Sequence, residues 1–591
     1  MRLILVLCLF VSSHIGAQNA ILAEDYLKKG DFNKALYAYK ALHDKSPSNI
    51  KYINSLVTVY QELEQYDQVN ALILKTLDRI NYPGLYVELG YNYQLQKNND
   101  KAIEQYNKAI ASLDTNVNNA YGVARAFKNR SLLDQATTVY KKAMDLNPKL
   151  NFELQLAKIY GEQGDIEKML TSYLDYAQRD KSSINYIKRA INAFISENSL
   201  NKNNVLFRKI LIQKLQQSPN IIWNDLLSWL FVQQHDFKKA FVQEKAIYKR
   251  RLGSLLRLQA LATVVEQENE TETAKAILEY ILENAQDDST KIATQSNLLE
   301  LETKNTLPKN YDNIDKKYNA VFNTYGMQSN TFKLQIAYAH FLAFYKDDTA
   351  KATKILKKAL KLPIGKMQLA QIKLELGDIL VLQEKFNQAL IYYTQIQRNL
   401  KNSTISQEAR FKVAKASYYK GDFKWAESQL KILKASTSQL MANDALDLKL
   451  LISDNKYEDS LQTALKLYAK ADLLTFQNKK TEAIAVLNTI LKNHGTEPIV
   501  AQTLLKQAQL FTALSQFKKA KANYEVIIEN YSQGILTDDA YYALAKIYEK
   551  QLQQPEQAKA LYEKIIFNHP DSIYFVEARK KYRALRGDAL N

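Results

Sequence analysis

Few residues in this chain could do chemistry. It has 591 residues and six histidines: His14, His43, His235, His340, His494 and His569. None lies in an HExxH pair or beside a carboxylate at metal-ligand spacing, so zinc binding or general-base work is not expected of them. The one cysteine, Cys8, lies in an apolar N-terminal run. If that run is removed, thiol nucleophiles, disulfides and thiolate metal sites go with it. No GxGxxG, phosphate-cradling GxxxxGK or GxSxG motif occurs. The adjacent carboxylates Asp347-Asp348 and Asp538-Asp539 read as helix starts, where negative charge is favoured. A pair of acids of glycosidase type, in an α-helical hydrolase, is the catalytic alternative. The expectation is a non-enzyme with no cofactor and no metal.

What must position any functional group is a set of helices. Gly 15 and Pro 9 are scarce, against usual frequencies of about 7% and about 5%. Tight hairpins need glycine at positive φ, so a hairpin-built fold is excluded. Hydrophobic residues at 46% argue against global disorder. The excess of 80 basic over 62 acidic residues is spread along the chain, and no basic run is interleaved with aromatics, so nucleic acid is not an expected partner.

The chain is self-similar. Small or equivalent residues recur at Ala35, Val69, Ala102, Ala136 and Met169, in steps of 34, 33, 34 and 33. Later anchors are Ala240, Ala274, Ala352, Ala389, Ala426, Ala483, Ala520 and Ala558, with gaps of 71, 78 and 57 read as degenerate repeats. An aromatic or large aliphatic residue follows four positions later, on the same helical face. Tyr39, Tyr106, Tyr140, Tyr393, Tyr524 and Tyr562 hold such positions and are expected in the core. Gly30-Asp31, Gly164-Asp165 and Gly421-Asp422 suit turns, with glycine ending one helix and aspartate capping the next. Pro47, Pro148 and Pro570 close repeats.

This pattern resembles the tetratricopeptide repeat. The likeness rests on Leu89, Gly90 and Tyr93; Leu156, Ala157 and Tyr160; Leu376, Gly377 and Leu380; and Leu544, Ala545 and Tyr548 in first helices. In second helices it rests on Ala136, Tyr140, Ala143 and Pro148, and on Ala558, Tyr562, Ile565 and Pro570. The resemblance implies an all-α, right-handed superhelical solenoid of helix–turn–helix repeats. It implies an array over 19–300, degenerate from about 181, a break near 300–325, a second array over 326–570 and a capping helix over 571–591. It also implies ligand binding along the first helices. The register gives Asn54, Thr58, Tyr91, Tyr121, Arg125, Lys128 and Lys158, a patch suited to a peptide or acidic segment. The two-carboxylate clamp of chaperone-binding members is not matched, because the required Lys and Asn are not at those positions.

Residues 1–18 have the parts of a secretory signal: Arg2, the apolar Leu3 to Val11, and Ser12, Ser13, Gly16 and Ala17 at the exit. Cleavage is expected after Ala17 or Gln18. No stretch reads as a transmembrane helix. Arg579, Arg583 and Arg586 form a basic face near the C-terminus, suited to an anionic surface or partner. The closing segment AKIYEKQLQQPEQAKALYEKIIFNHPDSIYFVEARKKYRALRGD is similar to the ends of periplasmic repeat proteins, among them the Tol-linked cell-division coordinator and the repeat lipoprotein of the outer-membrane β-barrel assembly machinery. The expectation is an exported, periplasmic, non-catalytic scaffold that joins envelope proteins, with peripheral contact to outer membrane or peptidoglycan. A peptidoglycan- or polymer-binding module is the binding alternative.

Overall fold

A computed structural model describes residues 19–251, 253–433, 439–455 and 462–588, and the signal sequence expected at 1–18 lies outside them. Among the described residues the chain is all-α with short 3-10 turns and no strand. It divides into two compact units, Met1–His235 and Asp236–Asn591.

In each unit the helices pack in consecutive pairs, and the recurring small residues explain how. Ala35, Val69, Ala102, Ala136, Ala389, Ala483, Ala520 and Ala558 are all buried on second helices. Gly90 and Gly377 lie on first helices, directly over Tyr106 and Tyr393 of their partners; an added Cβ would overlap either ring. The Leu-Gly motif is therefore a seat for the next helix's tyrosine. All six tyrosines expected in the core are buried.

The turn inside a pair uses one left-handed residue. Gly30, Gly164 and Gly421 supply it at φ 76°, 76° and 84°. Elsewhere Glu64, Lys97, Ser131, His235, Asp347 and Glu384 hold the same conformation. The aspartates expected to cap are not equivalent. Asp165 accepts the Lys168 amide at 3.0 Å and Asp422 that of Trp425 at 3.2 Å. Asp31 makes no cap and instead takes the Lys34 ammonium at 3.1 Å. Asp348 caps Thr349–Ala359 through the Lys351 amide, and Asp538 and Asp539 lie in the first turn of Thr537–Lys550.

In unit 1 the pairing loosens after Arg179. Lys202–Gln217 packs on Ile166–Arg179 and on Ile221–Gln233. Residues 300–325, expected as a break, lie inside unit 2. Helix Asp288–Asn305 pairs with Tyr311–Tyr325, Leu299 and Tyr318 share one buried cluster, and Lys317 reaches Glu302 at 2.5 Å. The second helix there buries Ile314, Tyr318 and Phe322 in place of the small-then-aromatic pattern, so its register is invisible to the repeat motif. The 57-residue gap has another cause. Thr404–Lys420 packs directly on Thr463–Phe476, with the Tyr418 hydroxyl donating to Asp472 at 3.0 Å. Helix Gln439–Asn455 is thus an insertion between two repeats. The closing helix, Phe575–Arg586, buries only Ala578 fully and leaves a polar outer face, as the end of a repeat stack requires.

Candidate partner-binding site

In unit 1 the first helices Ile50–Glu62, Gly84–Leu95 and Ala120–Asn129 line a cavity of about 440 Å³. Asn54 and Thr58 come from the first, Glu88 from the second and Arg125 from the third. Gly84, Gly122 and Ala126 add no bulk to its wall, which keeps it open. Glu88 is buried, which would be costly for a lone carboxylate. Arg130 compensates it, donating from Nε at 2.9 Å, and also lies 4.6 Å over the Tyr91 ring. Lys51 is held by Glu24 at 3.2 Å. Arg125 is exposed and, among the described residues, has no ion-pair partner. The Asn54 carbonyl oxygen is buried without a hydrogen bond. The site thus offers a cation lacking an anion beside the polar side chains of Asn54 and Thr58. A polypeptide segment supplies the complement through a carboxylate.

Three of the seven residues expected in the groove, Asn54, Thr58 and Arg125, share this cavity. The other four do not line it. Tyr91 lies under Arg130, Tyr121 is 54% exposed, Lys128 pairs with Glu162 at 2.6 Å, and Lys158 lies over the Tyr186 ring at 5.8 Å. The basic C-terminal face is partly neutralised: Asp588 accepts Arg586 Nε at 2.8 Å and lies 3.4 Å from Arg583, while Arg579 is exposed. Asp588 is held below the usual carboxylate range, first by the Arg586 hydrogen bond.

Unit 2 holds a larger cavity, about 640 Å³, which sequence reasoning missed. Glu300, His340, Glu375 and Glu408 line it from four successive first helices. His340 Nδ1 lies 3.0 Å from Glu375 Oε1, with its ring stacked on Phe344 at 4.4 Å. The two residues are 35 positions apart, about one repeat, and that offset was the available signal. Desolvation raises the acids Glu300 and Glu408 above their ordinary range. Among the described residues no three His, Cys, Asp or Glu side chains group to hold a metal ion, and no helix is long and apolar enough to cross a membrane.

Three segments match tetratricopeptide-repeat family profiles: 83–112 in unit 1, and 502–534 and 539–572 in unit 2. Each coincides with a helix pair, Gly84–Leu95 with Asn99–Thr115, Ile499–Ala513 with Phe517–Asn530, and Thr537–Lys550 with Pro555–Asn568. Such repeats mark a protein–protein interaction scaffold. The chain is also similar to one in the structure of Naa15/Naa10 bound to HypK-THB, at 13% identity and a TM-score of 0.28 over 97% of each chain. A second is in the APC/C hetero-tetramer Cut9-Hcn1, at 12% identity and a TM-score of 0.26 over 96% of each chain. Neither likeness is close enough to carry fold or function across.

Proposed function

We propose that the protein is a non-catalytic scaffold of the bacterial cell envelope, exported to the periplasm, that holds an acidic polypeptide segment of a partner in the unit 1 groove. The observation that carries the reading is the convergence of Asn54, Thr58 and Arg125, from two helices flanking a third, on one open cavity. Among the described residues Arg125 is its uncompensated charge. The charged, apolar and small-residue order of residues 1–18 supports export, and the closing segment's likeness to periplasmic repeat proteins supports the envelope. Contact with the outer membrane or peptidoglycan belongs to this reading. A photo-crosslinking residue at Thr58, irradiated in intact cells, should capture envelope proteins, and Arg125→Glu should abolish the capture. Capture of cytoplasmic proteins alone would sink the location. Capture unaffected by Arg125→Glu would sink the groove.

One observation favours a second reading. An α-helical hydrolase needs two acids converging in a cavity, and Glu300, Glu375 and Glu408 share one. Purified sacculi incubated with the protein decide this: soluble fragments that disappear with Glu408→Gln would establish hydrolysis, and retention on the sacculi without fragments would indicate polymer binding.

A further inference from the structure

The large cavity of unit 2 does not end at Glu408. A second cavity of about 380 Å³ shares that residue, so helix Thr404–Lys420 separates two halves of one groove. Its floor is aromatic, with Phe341 and Tyr345 on one side and Phe411, Tyr419 and Phe476 on the other. These rings lie on first helices or just beyond their ends.

The charges on the rim are unequally compensated. Lys304 is held by Glu266 at 3.0 Å, and Lys412 by Asp378 at 2.6 Å. Asp378 is further saturated by the Tyr393 hydroxyl at 2.6 Å. Among the described residues, Lys333 and Lys415 are the lining lysines with no carboxylate at ion-pair distance. Against them stand Glu300, which receives only the Ser296 hydroxyl at 3.1 Å, and Glu408 and Asp444, which among the described residues receive nothing. The acidic side continues beyond the cavities. The Asp447 carboxyl is raised first by desolvation and then by Asp444, and that of Asp539 by desolvation and by Asp538 and Asp447 against the opposing Tyr574 hydroxyl, which donates to it at 2.7 Å. In a chain of +18 net charge this groove departs from the bulk. Carboxylates in such a place are stabilised most by an incoming cation that also covers the aromatic floor.

We propose that the unit 2 groove is a docking site for a basic amphipathic polypeptide segment, which places an arginine or lysine against Glu408 and Glu300 and its apolar side chains on the aromatic floor. The occupant follows from charge complementarity: Glu300, Glu408 and Asp444 outnumber Lys333 and Lys415 in the lining, and an acidic segment would meet those carboxylates, where like charges in a confined site repel. The guanidinium is the better fit, because its plane lies on a ring while its edge donates to a carboxylate. The site is separate from the unit 1 groove and opposite to it in sign. The scaffold therefore has two specificities.

The test is fluorescence anisotropy with the full chain and two labelled peptides of equal length, one alternating arginine and leucine, the other glutamate and leucine. The arginine peptide should bind, more weakly as salt is raised. Glu300→Gln with Glu408→Gln should weaken it about tenfold, whereas Arg125→Glu should leave it unchanged. Glu408→Asp keeps the charge and should bind within about twofold of the parent chain, so a loss confined to the neutral variants is not a folding defect. No binding of the arginine peptide, its indifference to the glutamine pair, or its loss with Arg125→Glu would overturn the proposal. If the glutamate peptide fails to bind while the arginine peptide binds as described, the unit 1 reading falls and this one stands.

Discussion

His340 is charged or neutral according to Glu375. Burial pulls its pKa down, but the Glu375 hydrogen bond and charge outweigh that and raise it above the ordinary 6.5. Stabilisation from the pair is therefore complete below about pH 6.5 and is lost as pH rises through the folded value. Followed by NMR of the ring protons, the His340 midpoint should fall in Glu375→Gln; an unmoved midpoint would mean that Glu375 does not set it. Backbone conformation offers a second test at this scale. Lys97 holds a left-handed conformation at φ 60° in the turn where Gly30 and Gly164 stand in other repeats. Left-handed backbone costs a residue with a Cβ roughly 1–2 kcal/mol, and glycine gives back about 0.5–1 kcal/mol in unfolded-state entropy. Lys97→Gly should therefore raise stability by up to about 1 kcal/mol, read from the urea midpoint. A lowered midpoint would show that Lys97 contributes more than its turn.

Between helices the decisive contact is a tyrosine in a glycine's place. The Tyr393 ring fills the space a side chain at Gly377 would occupy, and its hydroxyl donates to Asp378 on the same first helix. Gly377→Ala improves helix propensity by about 1 kcal/mol, but it forces the ring from its seat and strains that hydrogen bond. Overpacking typically costs about 1–3 kcal/mol, and the backbone within the pair has little room to give. The expected outcome is a lower melting temperature by calorimetry, despite the better helix former. A rise would mean the pair separates more easily than its packing implies.

At the scale of the whole chain, packing runs between neighbouring helices and rarely further. Stability in such a stack is close to a sum of repeat and interface terms. A defect in one unit should stay there. Gly377→Ala, in unit 2, is expected to leave binding of the glutamate–leucine peptide to the unit 1 groove unchanged while unit 2 unfolds earlier in urea. Coupled loss of both would show that the two units unfold as one. The same locality explains how an inserted helix, Gln439–Asn455, is tolerated: the repeats on either side still meet through Tyr418 and Asp472.

Periodicity made the all-α class, the helix pairing and the buried tyrosines legible, because each depends on residues within about forty positions that repeat a local pattern. Gly90 and Gly377 were legible for the same reason, since only a residue without a Cβ fits under the neighbouring ring. The pairing of cations with acids and rings was not. Tyr91, Lys128 and Lys158 each find a partner in another repeat, and Asp31 takes a lysine in place of a cap. Whether a charge is spent inside the protein or left for a ligand depends on side-chain reach across repeats, which spacing does not encode. The division at His235/Asp236 was likewise hidden, because degenerate motifs can still pack as regular pairs, as Ile314, Tyr318 and Phe322 do. Repeating local contacts build the stack. Tertiary structure alone decides which carboxylates and cations in its grooves remain uncompensated, because that is a sum over all neighbours in space.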